Sequence, residues 1–152
     1  MYKIRKAFDI DIIISPQKST VMLNPDIDIE SDYEGFLQGN LHCYKGEFLQ
    51  GFFVKNAKNF DIWLLEKREY FRNIYINRLN EKISDLLKQE KFIEAEKYGR
   101  LLVKEDEFDE RAYRILMEIY SRQGVYNKAI DLYKKLEEIL KKELGIEPDI
   151  KT

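Results

Sequence analysis

Two neighbouring residues, His42 and Cys43, are the chain's single histidine and single cysteine. A Cys–His nucleophile needs the two side chains to face each other, which adjacent positions in one chain rarely allow. One His and one Cys also cannot close a tetrahedral zinc site without carboxylates to complete it. Acid is plentiful in Glu105-Asp106-Glu107 and in Glu137-Glu138, but Lys134, Lys135, Lys141 and Lys142 are interspersed. Such mixing reads as helix ends and solvated faces rather than as a proton-transfer pair. A basic cluster, Lys3, Arg5 and Lys6 with Lys18 further on, is of the type that touches DNA phosphates, although Asp9 and Asp11 stand beside it. No glycine-rich phosphate loop, zincin motif or nucleophile elbow occurs. The expectation is a protein without catalysis, metal or cofactor.

The composition describes what must hold these residues. In 152 residues, 26 Lys+Arg stand against 28 Asp+Glu for a net charge of −2, so bulk charge does not drive nucleic-acid binding. With 44% hydrophobic and 13% aromatic residues the chain can fill a core, and 36% charged residues suit helices with one wet face. Only 7 Gly and 3 Pro are present, too few turn residues for a sandwich of many short strands. One Cys excludes an internal disulfide. No run approaches the ~18 apolar residues of a membrane helix, and no signal-peptide core is visible. A cytoplasmic, mainly helical protein is expected.

Along the chain, Ile4, Ala7 and Phe8 sit at helical spacing, as in the last turns of a basic helix. Ile12–Ser15 and Thr20–Leu23 are β-rich runs around a turn begun by Pro16, which predicts a hairpin. Asn24-Pro25 closes that segment. Ser31 or Asp32 should cap a short helix through Leu37, ended by Gly39-Asn40. Gly46 and Gly51 bracket an apolar loop expected to pack on the helices. The rest reads as helix: about Ala57 to Gln89, with a kink or change of packing partner near Asn77–Asn80, then Phe92–Lys104, Asp109–Arg122 and Tyr126–Glu143. Gly145 should end the last helix in a Schellman-type cap, with Ile146 placed for its hydrophobic contact and Pro148 beyond.

The later helices repeat. Ala95 and Ala129 are 34 residues apart, as are Phe92 and Tyr126, Leu86 and Tyr120, and Leu102 and Leu136. That is the period of tetratricopeptide units, pairs of antiparallel helices. Both alanines are expected to let a paired helix approach closely. Gly124 fits the turn glycine of the pattern, whereas Glu90 stands there one unit earlier. Two units are few for such an array, so the long helix and the Gly46–Phe53 loop should supply a further layer. The predicted fold is mainly α, a tetratricopeptide-like helical hairpin stack (α–α superhelix) with a short N-terminal β-hairpin. Trp63, with Phe60, Phe71, Phe92, Tyr113 and Tyr120, should form inter-helix core, so Trp63→Ala is expected to cost roughly 3–5 kcal/mol. Asn80, Ser84, Arg114 and Glu118 take the inward positions of the stack and form a candidate protein-interaction surface, without a clear Lys/Asn clamp for a terminal carboxylate.

Tyr44-Lys45-Gly46-Glu47-Phe48-Leu49-Gln50-Gly51-Phe52, then Phe60-Asp61-Ile62-Trp63-Leu64-Leu65-Glu66-Lys67-Arg68, resemble the bacterial transcriptional activator domain of the antibiotic-regulatory-protein family. The resemblance continues through Arg114-Ile115-Leu116-Met117 and Tyr120 and closes with Glu143-Leu144-Gly145-Ile146-Glu147-Pro148. It departs in a shortened region around Gly39–Cys43 and in Glu107, where Pro is common. It covers about residues 26–150, and the predicted activator domain is residues 26–152. In that family the domain follows a winged-helix DNA-binding domain. Residues 1–25 then look like its remnant, with Ile4–Phe8 as the end of the recognition helix and Ile12–Leu23 as the wing; the Gly and Tyr that often precede the wing's last strand are absent.

The resemblance implies an interaction domain of a bacterial regulator that reaches promoter DNA only through the intact winged helix. It implies self-association, as a homodimer, or contact with transcription machinery such as RNA polymerase or a sigma factor, with no membrane partner. In the remnant, Lys3, Arg5, Lys6 and Lys18 are the DNA-facing candidates. The alternative is a stand-alone tetratricopeptide-like adaptor for a peptide or protein, without a DNA role.

Overall fold

The computed structural model describes residues 11–152; Lys3, Arg5, Lys6 and the expected basic helix lie outside them. Among the described residues the chain is mainly helical behind a short antiparallel hairpin, the tetratricopeptide-like stack that the pattern predicts. It divides into two compact units, one ending at Cys43 and one spanning Tyr44–Thr152.

In the first unit, β1 (Ile13–Ile14) pairs with β2 (Met22–Leu23), Ile13 opposite Leu23 and Ile14 opposite Met22. The base is tied by Asn24, whose N–H donates to Ile12 O (2.8 Å) and whose side-chain amide donates to Asp11 O (3.1 Å). Helix α1 (Asp32–Leu37) starts as expected, since Ser31 Oγ accepts from the N–H of Glu34 at 3.1 Å and fills one of the four unpaired first-turn donors. A 3-10 turn over Leu41–Cys43 follows.

In the second unit, four helices stack in chain order: α2 (Lys58–Lys88), α3 (Phe92–Glu105), α4 (Glu110–Arg122) and α5 (Tyr126–Ile139), the last continuing as a π-helical turn through Leu144. Each packs on the next. Leu79, Ile83 and Leu86 of α2, Ala95 and Leu102 of α3, Leu116, Ile119 and Tyr120 of α4, and Leu136 of α5 are buried. Each fully buried Leu or Ile stabilises the stack by about 1.5–3 kcal/mol. Gly99 lets α3 and α4 approach: a Cβ there would lie 3.0 Å from Leu116 Cδ1 and 3.1 Å from Ile119 Cδ1.

The period is written into the backbone three times. Asn56, Glu90 and Gly124, spaced by 34 residues, have φ of 58°, 57° and 75°. Each is followed by a helix-capping residue with ψ near 60°, namely Ala57, Lys91 and Val125. The Lys91 N–H donates to Leu86 O at 2.9 Å and the Val125 N–H to Tyr120 O at 3.0 Å, so both helices end in the same six-to-one closure. The α3–α4 turn at Asp106–Asp109 has its counterpart, one period earlier, at Arg72–Tyr75, and there α2 runs on as helix. Its 31 residues, about 46 Å, thus join two helices that a regular repeat would separate. No break occurs near Asn77–Asn80; the change of packing partner falls at Arg72–Tyr75 instead.

The expected extra layer is present. Arg68 Nε and Nη2 donate to Phe48 O (3.0 Å) and Leu49 O (3.1 Å), clamping the Gly46–Phe53 loop on α2. Phe48 packs 5.0 Å from Phe71, Phe52 5.8 Å from Phe60, and Tyr44 stacks on Tyr75 at 4.1 Å. Two expectations are corrected. Trp63 is 40% exposed and rests edge-on against Phe48, because it lies on the flank of α2 that only the loop covers. Ala95 is fully buried, whereas Ala129 is only half-buried; among the described residues α5 is the last helix of the stack and no further helix packs on it. The Gly145 cap forms, with φ of 68° and its N–H donating to Lys141 O at 3.2 Å, while Ile146 stays half exposed.

Candidate functional site

Lys18 sits exposed in the turn of the hairpin, between Gln17 and Thr20, whose N–H donates back to Gln17 O at 3.2 Å. Val21, Met22 and Leu23 of the returning strand are exposed as well, an unusual placing for a β-rich apolar run.

In the helical stack, Arg114 and Glu118 line one shallow groove of about 460 Å³ at the free end of the array, with Met117 and Ser121 of α4, Ile130 and Tyr133 of α5, and Thr152. Arg114 Nη1 donates to Thr152 Oγ1 (2.6 Å), which donates to Glu110 Oε2 (2.6 Å), and Glu110 also accepts from the Asp149 N–H (2.9 Å). Glu118 pairs with Arg122 one turn on, at 2.8 Å. Asn80 and Ser84, one period earlier on α2, lie outside this lining: the Asn80 amide donates to Ile76 O of its own helix at 3.0 Å, and Ser84 is exposed. The four residues therefore form two pairs, of which one shares a groove.

The residues with possible chemistry are dispersed. His42 is exposed, and Cys43 turns its Sγ toward Gly35, 2.8 Å from where a Cβ would stand. No group of three or more His, Cys, Asp or Glu side chains among the described residues is placed to hold a metal ion. Glu105 and Asp106 are not simple surface charge: Arg72 Nη2 donates to Glu105 O (2.9 Å) and to Asp106 Oδ2 (3.4 Å). Burial pushes the Glu105 carboxyl up against the opposing pull of Arg72. Burial, with Glu105 nearby, pushes the Tyr44 hydroxyl up to about 12, so it stays neutral under its stacking partner.

One node escaped the sequence reading. Glu96 accepts from Arg100 Nη2 (2.8 Å), Gln123 Nε2 (3.2 Å) and the Tyr120 hydroxyl (3.3 Å), with Lys128 Nζ at 3.9 Å. Burial opposes its charge, but the hydrogen bonds from Arg100 and Gln123 and the Lys128 cation outweigh that and hold its carboxyl below the usual range. Only the spacing of Glu96 and Arg100, four residues apart, signalled any of this. The arrangement is structural, joining α3, α4 and the start of α5, and nothing in it presents an activated nucleophile.

A stack of this period, closed by the Gly145 turn and clamped to the Gly46–Phe53 loop, is what the family model described as the bacterial transcriptional activator domain matches over residues 35–152. The chain belongs to that family. The bacterial transcriptional activator domain is a regulatory domain of transcription activators and not an enzyme family. A comparison with curated proteins finds no match, and a comparison with solved structures finds none. No helix among the described residues is long and apolar enough to cross a membrane.

Proposed function

We propose that this chain is the regulatory and interaction domain of a bacterial DNA-binding transcriptional regulator, residues 26–152, preceded by the remnant of a winged helix in residues 1–25. The observation that carries the reading is the family match over residues 35–152, supported by the hairpin directly ahead of it. The exposed apolar strand Val21–Leu23 supports a wing that belongs against a larger body. In this reading the rigid stack sets the spacing of two DNA-reading heads through self-association, or presents a surface to RNA polymerase or a sigma factor, in the cytoplasm and without a cofactor. Arg114 and Glu118, with Asn80 and Ser84, are the proposed contact residues; Lys3, Arg5, Lys6 and Lys18 are the proposed phosphate contacts of the winged helix.

The second reading is a stand-alone tetratricopeptide-like adaptor, favoured by the groove at the free end of the array. The reading frame upstream of Met1 separates the two. A winged helix coded in frame there agrees with the regulator; a ribosome-binding site and start codon at Met1, with no such frame, would replace it with the adaptor.

A further inference from the structure

The segment that follows the Gly145 cap ends in a pinned turn beside the groove between α4 and α5. The Lys151 N–H donates to Asp149 Oδ1 and the Thr152 N–H to Asp149 O, both at 2.8 Å. Glu110 accepts from the Asp149 N–H and the Thr152 hydroxyl, and Arg114 donates to the same hydroxyl oxygen. Ile150 stands in this fixed turn and is wholly exposed, at 104%. Lys151 and Thr152 line the groove, so the isoleucine stands directly beside a space of about 460 Å³ whose walls it does not join.

One period earlier the corresponding place is filled. Leu116, 34 residues before Ile150, is buried, and its Cδ1 lies 3.0 Å from where a Cβ on Gly99 would stand. Gly99 precedes Tyr133 by 34 residues and Ala95 precedes Ala129 by 34, and Tyr133 and Ala129 are both in the groove wall. The repeat thus identifies what this surface takes, a branched aliphatic side chain from a neighbouring segment. Ile130 beside them is 52% exposed. Charge agrees with a second copy as the source. Lys151, next to Ile150, makes no ion pair among the described residues. Glu118, in the α4 wall, gives only its Oε1 to Arg122 and leaves Oε2 open among the described residues, while Arg114 is joined to Glu110 through Thr152.

We propose that two copies of this chain pair at this end about a two-fold axis. The Ile150 of each enters the other's groove against Ala129, Ile130 and Tyr133, and the Lys151 of each meets the other's Glu118. A two-fold interface uses the same patch on both sides, and a knob standing beside its own groove meets that requirement and closes the pair. Few residues take part, so the dimer is weak and concentration-dependent. The inference rests on the self-association arm of the regulatory reading and gives that arm its surface and partner.

Sedimentation equilibrium of the whole chain at up to about 1 mM tests it. The parent chain is expected to show a monomer–dimer equilibrium. Ile150→Asp should weaken the dimer about tenfold or more. It should melt at the parent temperature, because the side chain is wholly exposed in the single chain. Glu118→Lys and Lys151→Glu should each weaken the dimer about tenfold, since each sets like charges together twice. An equimolar mixture of those two variants should recover the parent affinity, because every cross-pair is then of opposite charge. A monomeric parent chain, a dimer indifferent to Ile150→Asp, or a mixture no tighter than its components would each overturn the proposal. Any of these results leaves contact with the transcription machinery standing in the regulatory reading, so the two fail separately.

Discussion

Glu90 and Gly124 stand 34 residues apart and close the same left-handed turn, with φ of 57° and 75°. Only the second is a residue that adopts this backbone without strain. A non-glycine residue there costs about 1 kcal/mol or more. Glu90→Gly should therefore raise stability by about 1 kcal/mol, and Gly124→Ala should lower it by about the same amount. Urea unfolding reads both as shifts of midpoint at constant slope. A lower midpoint for Glu90→Gly would mean that the turn is not shared.

Trp63 and Phe71 are two aromatics of one helix with opposite burial, 40% and 5% exposed. Phe71→Ala should cost about 3–5 kcal/mol, as for a buried aromatic. Trp63→Ala should cost only about 1 kcal/mol, its remaining contacts being with Phe48 and Phe60. Thermal melting of the two variants side by side decides; equal losses would put Trp63 in the core.

Arg68 forks onto two backbone carbonyls of the Gly46–Phe53 loop. Arg68→Ala should lose about 1–2 kcal/mol and leave the loop amides exchanging faster with solvent. Arg68→Lys should rescue little, because an ammonium point charge does not reproduce the planar fork. Hydrogen exchange over residues 46–53 measures both.

Glu96 gives the stack a pH dependence. Its folded carboxyl titrates below its unfolded value of about 4.3, so its contribution is complete above that pH and disappears as pH falls through the folded value. Glu96→Gln should therefore cost about 1 kcal/mol at neutral pH, and the gap to the parent chain should close in strong acid. Melting curves in neutral and acidic buffer check this; a gap that persists in acid would show that packing, not charge, is lost.

What the sequence reveals is set by what periodicity can carry. Gly124, the Ala95 contact and the starts of α3, α4 and α5 follow from spacing, turn chemistry and helix caps, and those elements stand where they are expected. Glu90 reads only as a mismatch, because a side-chain letter says nothing of a backbone that tertiary packing forces into the left-handed region. Ala129 repeats Ala95 as a letter but not as an environment, since burial depends on whether another helix follows. Trp63 shares its stripe with buried residues, and its exposure depends on how far a loop reaches. The acceptors of Arg72 and Gln123 are 27 to 34 residues distant in the chain, beyond any local pattern.

The central claim is that this domain belongs beside a DNA-reading head. Its most direct test is a mobility-shift measurement on promoter DNA, comparing this chain with one extended upstream in frame. The account predicts a specific shift for the extended protein and little or none for this chain alone. An extension that adds no binding would contradict it.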